Sequence, residues 1–375
     1  MIGLALAALL SLMQIGLARG QSAAPGEDRE HWLRERLAYT PLDQAALRDL
    51  ALLERKRGHG GDARTYAVLA GQLGWRDSRT QLMLIDDAVR RRDVVETVRR
   101  MDSLMRREPQ MDALLLPVLH AAAMEERGRQ IIETRLAADP PWRSGFFGAL
   151  EYLPDADQPA HERLLAHLAR QGTLRDDTDL VPYVRDLARR GENRHARTLW
   201  VALTAAGKGL LLDPDFERLS LKAPARRVSP FEWLAKRVPG ADMRVGGELD
   251  RISSMALFFT VDRSAFGALL TQRTVLDPGR YRLITATPSA GALRRGVLRW
   301  EVSCLPGRRT LQTAGKAVAA GWQEVFIVPD SGCTAQQVTL EVRRSDGARQ
   351  NEASFKSVTI AASAGNGHGG EEPWR

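Results

Sequence analysis

Cysteine is the scarcest side chain here: there are two, at positions 304 and 333, in 375 residues. With no CxxC pair, a dithiol redox site is excluded. Lysine is also rare, confined to positions 56, 208, 222, 236, 316 and 356, so the net charge of +8 is almost wholly arginine. Those arginines are scattered beside Glu and Asp through helix-like stretches. That is the pattern of a solvated, partly ion-paired face, so no nucleic-acid partner is expected. The histidines at 31, 59, 120, 161, 167, 195 and 368 form no HExxH or other metal spacing, and His161 and His167, six apart, do not share a helical face; no metal site is expected. GxSxG, GxxxxGKS/T and GxGxxG before a helix are all missing. The adjacent carboxylates Glu125 and Glu126, and Asp86 and Asp87, point to different sides of a helix and cannot converge as an acid/base pair. No catalytic residue is assigned, no cofactor is expected, and the chain is read as a non-enzyme.

Long apolar runs are missing as well, with one exception. Residues 2–18 carry no charge, but at helical rise they would extend only about 25 Å, short of the roughly 30 Å hydrocarbon core. Small residues at Ala18 and Gly20 then fit cleavage before Gln21, so 1–20 is expected to be a signal peptide. An uncleaved inner-membrane anchor facing the periplasm is the alternative, and membrane contact is expected only through that segment; a buried helix is a further one. No cysteine follows the run, which excludes a lipoprotein anchor. The expected location is periplasmic or secreted, and in that compartment an even pair within one β region is most simply a disulfide, Cys304–Cys333. Two separate buried thiols are the other reading.

What remains falls into two regions of different period. After a leader at 21–40, helical segments run through 41–212. Thr40 is expected as the first cap, with Pro41 opening the helix and Asp43 in its first turn. Breaks recur at 58–61, 74–78, 108–111, 139–144 and 153–159. Small or apolar residues recur in register: Ala51, Gly58, Ala63, Ala67 and Ala70; then Arg92, Thr97, Met101 and Leu104, with Pro109; then Gly128, Ile132 and Pro140; and later Gly191, Ala196, Trp200 and Leu203. These positions resemble those of degenerate tetratricopeptide repeats, which implies an α-solenoid of stacked helical hairpins, with small residues where helices approach. Arg92, Arg135 and the stretch 146–171 depart from the pattern.

Residues 213–229 turn to Pro, Lys, Arg and Ser, as a linker would. Strand-like runs follow at 255–261, 267–275, 280–286, 296–304, 322–328, 337–343 and 353–361, so an antiparallel β-sandwich is expected over 230–361, with a disordered tail at 362–375. Residues 322–344 read as a β-hairpin around a Pro-Asp-Ser-Gly turn, with Trp322, Phe326 and Val328 on one face of its first strand and Val338, Leu340 and Val342 on one face of its second.

Pro230-Phe231-x-Trp233 after a helical-repeat region, the turn of Leu276, Pro278, Gly279, Tyr281 and Leu283, and the cysteine-bearing hairpin together resemble a bacterial group of exported repeat proteins. That group pairs tetratricopeptide-like repeats with a carbohydrate-binding-like β-sandwich and is associated with exopolysaccharide production. The resemblance implies an envelope scaffold or adaptor. Its helical repeats would bind a protein partner, on their concave face, in support of polysaccharide assembly or export. A carbohydrate-binding sandwich is the alternative and a glycan-active enzyme, which needs carboxylates converging in the sandwich cleft, the third. Trp300 and Trp322 read as core by parity. Trp233 and Tyr281 are left as the candidates for an exposed sugar platform.

Overall fold

In a computed structural model, residues 26–363 are described apart from 151–152, 208, 249–250, 289, 312–313, 320 and 345–349. The segment 1–20 and the tail beyond Ser363 lie outside the described residues. The chain divides into two compact units, one ending at Thr173 and the other beginning at Leu174.

The first unit is helical. Its helices are α1 Gly26–Tyr39, α2 Gln44–Lys56, α3 Gly60–Leu73, α4 Ser78–Arg90, α5 Val94–Arg107, α6 Asp112–Ala123, α7 Glu126–Ala137, α8 Arg143–Gly148 and α9 Gln158–Arg170. From α1 to α7 each helix packs on the next, and α5 also reaches α7. The register residues Ala51, Ala63, Ala67, Ala70, Thr97, Met101, Leu104 and Ile132 are buried, as helix–helix contacts require. Gly128 sits where a Cβ would run into the carbonyl oxygen of Ala122, so only glycine permits that approach. The turns after α2, α4 and α9 share one device. Gly58, Arg92 and Gly172 adopt left-handed backbone. Beside each, amides bond back to the last helical turn, such as His59 N–H to the Glu54 carbonyl and Asp93 N–H to the Ala88 carbonyl. This is the Schellman termination, and Arg92 adopts it without being glycine.

Two expectations change here. The leader holds a helix, α1, whose Leu33 is buried against Ala46 and Leu50; its apolar face is only Leu33 and Leu37, too narrow to stand out among seven charged neighbours. The cap of α2 is Asp43, accepting from the Ala46 N–H at 3.0 Å, while Thr40 closes α1 by donating its N–H to the Arg36 carbonyl. The stretch that departs from the repeat is filled with aromatics. Trp142, Phe146 and Phe147 are buried, His120 stacks on Phe146 at 4.3 Å, and His161 meets Phe147 edge-on at 5.9 Å. Burial, then the neighbouring His120, pushes the His161 imidazole down to about 3.

The second unit contains two more helices, α10 Val181–Arg189 and α11 Asn193–Leu203, followed by strands β1 Leu234–Ala235, β2 Ala241–Glu248, β3 Arg251–Asp262, β4 Gly267–Thr274 and β5 Gly279–Ala286. After a short helix, α12 Gly291–Arg294, come β6 Leu298–Leu305, β7 Thr310–Leu311, β8 Ala314–Val318, β9 Gly321–Val328, β10 Ala335–Val342, β11 Gln350–Phe355 and β12 Ser357–Ala362. The strands form antiparallel sheets ordered β1-β4-β10-β6-β7, β11-β3-β2 and β12-β5-β9-β8. The architecture is therefore a helical region followed by an antiparallel β-sandwich. An aromatic row threads its core, Phe216, Trp233, Trp300, Phe355 and Phe259, with successive centroids 5.8, 5.9, 6.0 and 5.0 Å apart.

Three corrections concern this unit. The pair α10–α11 does not end the first unit but is anchored to the sheets: Arg273 on β4 donates to the Ala188 carbonyl at 3.1 Å and to Asn193 Oδ1 at 2.7 Å, so a guanidinium caps the carbonyl end of α10. Residues 213–229 are no free linker, because Phe216 is fully buried, Gln272 donates to the Leu212 carbonyl at 2.8 Å and Val358 N–H to the Pro214 carbonyl at 2.9 Å. Finally, 322–344 is not a hairpin. β9 pairs with β5 and β8, whereas β10 pairs with β4 and β6, so the Pro-Asp-Ser-Gly stretch crosses between sheets. Period-2 alternation identifies a strand but not its partner. The run at 353–361 likewise bends at Lys356 into β11, on β3, and β12, on β5.

Candidate functional site

The two cysteines are bonded, with Cα atoms 4.9 Å apart. Because β10 lies beside β6, with Gln336 opposite Cys304, the two residues before β10 are carried to the end of β6. The cross-sheet path of 329–333 is what brings Cys333 there.

The two aromatics proposed as a sugar platform are core residues. Trp233 is 2 % exposed, lies between Phe216 and Trp300 and donates its indole N–H to the Asp213 carbonyl at 3.0 Å. Tyr281 is 8 % exposed, stacks on Phe326 at 5.8 Å and donates its hydroxyl to the Asp277 carbonyl at 2.9 Å. Neither presents a free ring face. The expectation that they are exposed is corrected: the parity argument that placed Trp300 in the core had no purchase on Trp233, which precedes the sheets, or on the tight turn before Tyr281.

The edge of Trp233 does line a cleft of about 350 Å³ in the second unit, formed by the 176–179 turn ahead of α10, by α11 and by residues 213–233. Its walls carry Asp176, Asp177, Asp213 and Glu232 together with Arg218 and Arg227. Arg218 holds Glu232 at 2.8 Å and Asp176 at 3.5 Å; Arg227 approaches Asp177 at 3.6 Å. The Asp213 carboxylate accepts the Arg218 N–H at 3.1 Å. Burial pushes the carboxyls of Asp176, Asp213 and Glu232 above the usual range, against the pull of Arg218 on Asp176 and Glu232 and of backbone N–H donors on Asp213. Sequence reading passed over these residues, although the acidic run at 176–179 and Glu232 beside Trp233 were visible signals. No spacing within one helix can reveal this cluster, because it is assembled from three separate segments.

A second surface belongs to the helical unit. Of the nine large apolar side chains exposed among the described residues, Trp32, Tyr39, Leu42, Leu69, Leu73, Trp75 and Val95 all lie in it. Trp32 and Tyr39 are on α1, Leu69 and Leu73 on α3, Val95 on α5: every second helix. Trp75 lies beneath the guanidiniums of Arg99 and Arg100 at 4.5 and 4.9 Å. One trio, Glu54, His59 and Asp62, brings three potential metal-ligand atoms within 4.8 Å of one another; its buried member, Glu54, is already engaged by His59 Nδ1 at 2.8 Å and Arg34 at 3.5 Å.

No family model and no curated protein matches the chain. A solved structure described as showing the structural basis for the promiscuous specificity of carbohydrate-binding modules from the β-sandwich superfamily is similar over 42% of this chain, at 12% identity and a TM-score of 0.25. The match spans 64% of that structure, less than two thirds of its length. A likeness at this level fixes neither the fold nor a ligand of this chain.

Proposed function

We propose that this protein is a non-enzymatic adaptor of the cell envelope whose helical unit binds a protein partner, in support of polysaccharide assembly or export. The observation that carries the reading is the row of exposed apolar side chains on α1, α3 and α5. We take these alternate helices as one layer of an antiparallel array, a reading that gathers their exposed side chains on one face. Scattered surface leucines need no explanation, whereas a face that gathers Trp, Tyr and Leu, with an arginine-flanked Trp75, has the composition of a contact surface. The partner would present apolar side chains to this surface. The Cys304–Cys333 bond supports an oxidising compartment, and none of the described helices is long and apolar enough to cross a membrane. The glycan-active alternative would need two carboxylates free to act on one bond; Asp176 and Glu232 instead share the Arg218 guanidinium.

Leu69→Asp combined with Leu73→Asp tests the reading. Both side chains are exposed, so the double variant should keep its helical circular dichroism yet lose the protein that co-purifies with the wild-type chain from envelope extracts. Retention of every co-purifying protein by the folded variant would overturn the adaptor role.

A further inference from the structure

We infer that the outer face of the β12-β5-β9-β8 sheet docks on an anionic lipid bilayer. Strand alternation decides what this face carries. Tyr281, Leu283, Phe326 and Val328 belong to the core, so their neighbours Arg280, Arg282, Ile284, Val325 and Ile327 stand on the other side. Thr359 lies opposite Ile284 and Lys316 opposite Gln323, which adds both to that side. Arg280 and Lys316 are exposed, and neither they nor Arg282 make an ion pair among the described residues. Glu324 is the one carboxylate in the sequence of the four strands, and it is buried opposite Leu283. The cations of this face are thus uncompensated by its own strands. On the β4-β10-β6 sheet both signs are present: Glu341 stands opposite Arg299 and lies 3.6 Å from Arg343.

Charge complementarity calls for an anionic partner, and the side chains between the cations select a bilayer. Ile327 is 62 % exposed and pairs across the strands with Arg280, as Val325 does with Arg282. An aliphatic side chain flanked by cations can enter the headgroup boundary while the guanidinium and ammonium groups meet lipid phosphates. A nucleic acid or an acidic glycan would instead call for aromatic rings to stack on. The aromatics of these strands, Tyr281, Trp322 and Phe326, all share the inward parity. Each cation near an anionic surface strengthens association about fivefold, so three of them with one aliphatic side chain make a reversible, salt-sensitive contact. The inference stands apart from the adaptor reading: it uses residues of the second unit alone, and Leu69→Asp with Leu73→Asp should leave it unchanged.

Co-sedimentation of the full chain with phosphatidylcholine vesicles, and with vesicles of phosphatidylcholine and phosphatidylglycerol in equal parts, tests the face. The ratio of binding to mixed over neutral vesicles separates it from any contact through residues 2–18, which carry no charge. That ratio should exceed one and fall as salt is raised. Arg280→Gln with Lys316→Gln, both at exposed positions, should lower it about twenty-five-fold. Ile327→Ser, also exposed, should weaken binding to mixed vesicles about three- to tenfold. Alginate and duplex DNA serve as soluble polyanions at the same salt. A ratio of one for the wild-type chain, a ratio unchanged in the folded double variant, or tighter association with a soluble polyanion than with mixed vesicles would overturn the proposal.

Discussion

From α1 to α7 every helix rests on the one that follows it, whereas in the sheet unit β4 is paired by β10, β5 by β12 and β3 by β11. Stability in the first arrangement approximates a sum of neighbour terms. In the second it is shared by one cluster of buried side chains reaching from Leu211 and Phe216 to Ile360. The electrostatics differ too. On the helices, hydrogen bonds from Arg99 and the charge of Arg100 hold Glu96 below the usual carboxylate range; in the sheet unit, burial raises Asp213 and Glu232. Damage should therefore stay local in one unit and spread in the other, and acid should act on them with opposite sign.

The largest test of that contrast is the disulfide. Cys304 and Cys333 close a loop of 29 residues, for which chain entropy gives about 3 to 4 kcal/mol. Cys304→Ala with Cys333→Ala should lower the sheet unit's unfolding free energy by that amount, and with it that unit's midpoint, while the helical transition holds. Equal shifts of both transitions, read by near- and far-ultraviolet dichroism, would break the comparison. Ala196→Leu sharpens it. Ala196 is fully buried on α11, so overpacking should cost about 1 to 3 kcal/mol. Because α11 belongs to the second unit, the sheet transition is the one expected to move. A shift confined to the helical transition would put the boundary back near Leu212.

Acid supplies the next test. The His161 pKa falls from 6.5 in the unfolded chain to about 3 in the fold, so the unfolded state binds the extra proton between those values. The stability His161 contributes is complete above pH 6.5 and is lost as pH falls, by about 1.4 kcal/mol per pH unit. For Asp213 and Glu232, raised on folding, the sign reverses: stability rises as pH drops through the window above their unfolded values. Acidification from pH 7 to 5 should thus lower the helical transition, and His161→Phe should flatten that slope without altering the sheet unit. The smallest effect is at a hairpin turn. Arg92 is exposed and left-handed, with φ of 56°, so Arg92→Gly should stabilise the helical unit by about 0.5 to 1 kcal/mol. A loss of stability by chemical denaturation would show that the arginine side chain has a role there.

These same differences set what could be read from residues alone. Ala63, Ala67 and Met101 announce buried helix faces through spacing, because their partners are one helix away in the chain. Strands β4, β5, β9 and β10 were equally plain as strands. Their pairing was not, since alternation in 322–328 and 335–342 suits a hairpin and a crossover equally well. The cleft was illegible for a related reason: Asp176, Asp213 and Glu232 come from a turn, a segment that resembles a linker, and the approach to the first sheet. No spacing rule connects them. Composition also misled at 213–229, where Pro, Lys and Arg hide the one residue, Phe216, that begins the aromatic row.

The bond from the Val358 amide to the Pro214 carbonyl has a temporal meaning. During synthesis Pro214 emerges before any strand of the sheets, and its partner belongs to the last of them. Until β12 is made, Leu211 and Phe216 have no complete core to enter, so the sheet unit matures only near the end of translation. The helices before Thr173, closed by near neighbours, can be ordered long before that. A chain interrupted before Val358 would then carry an ordered first half and a sticky second half, a species suited to early capture by a chaperone or protease.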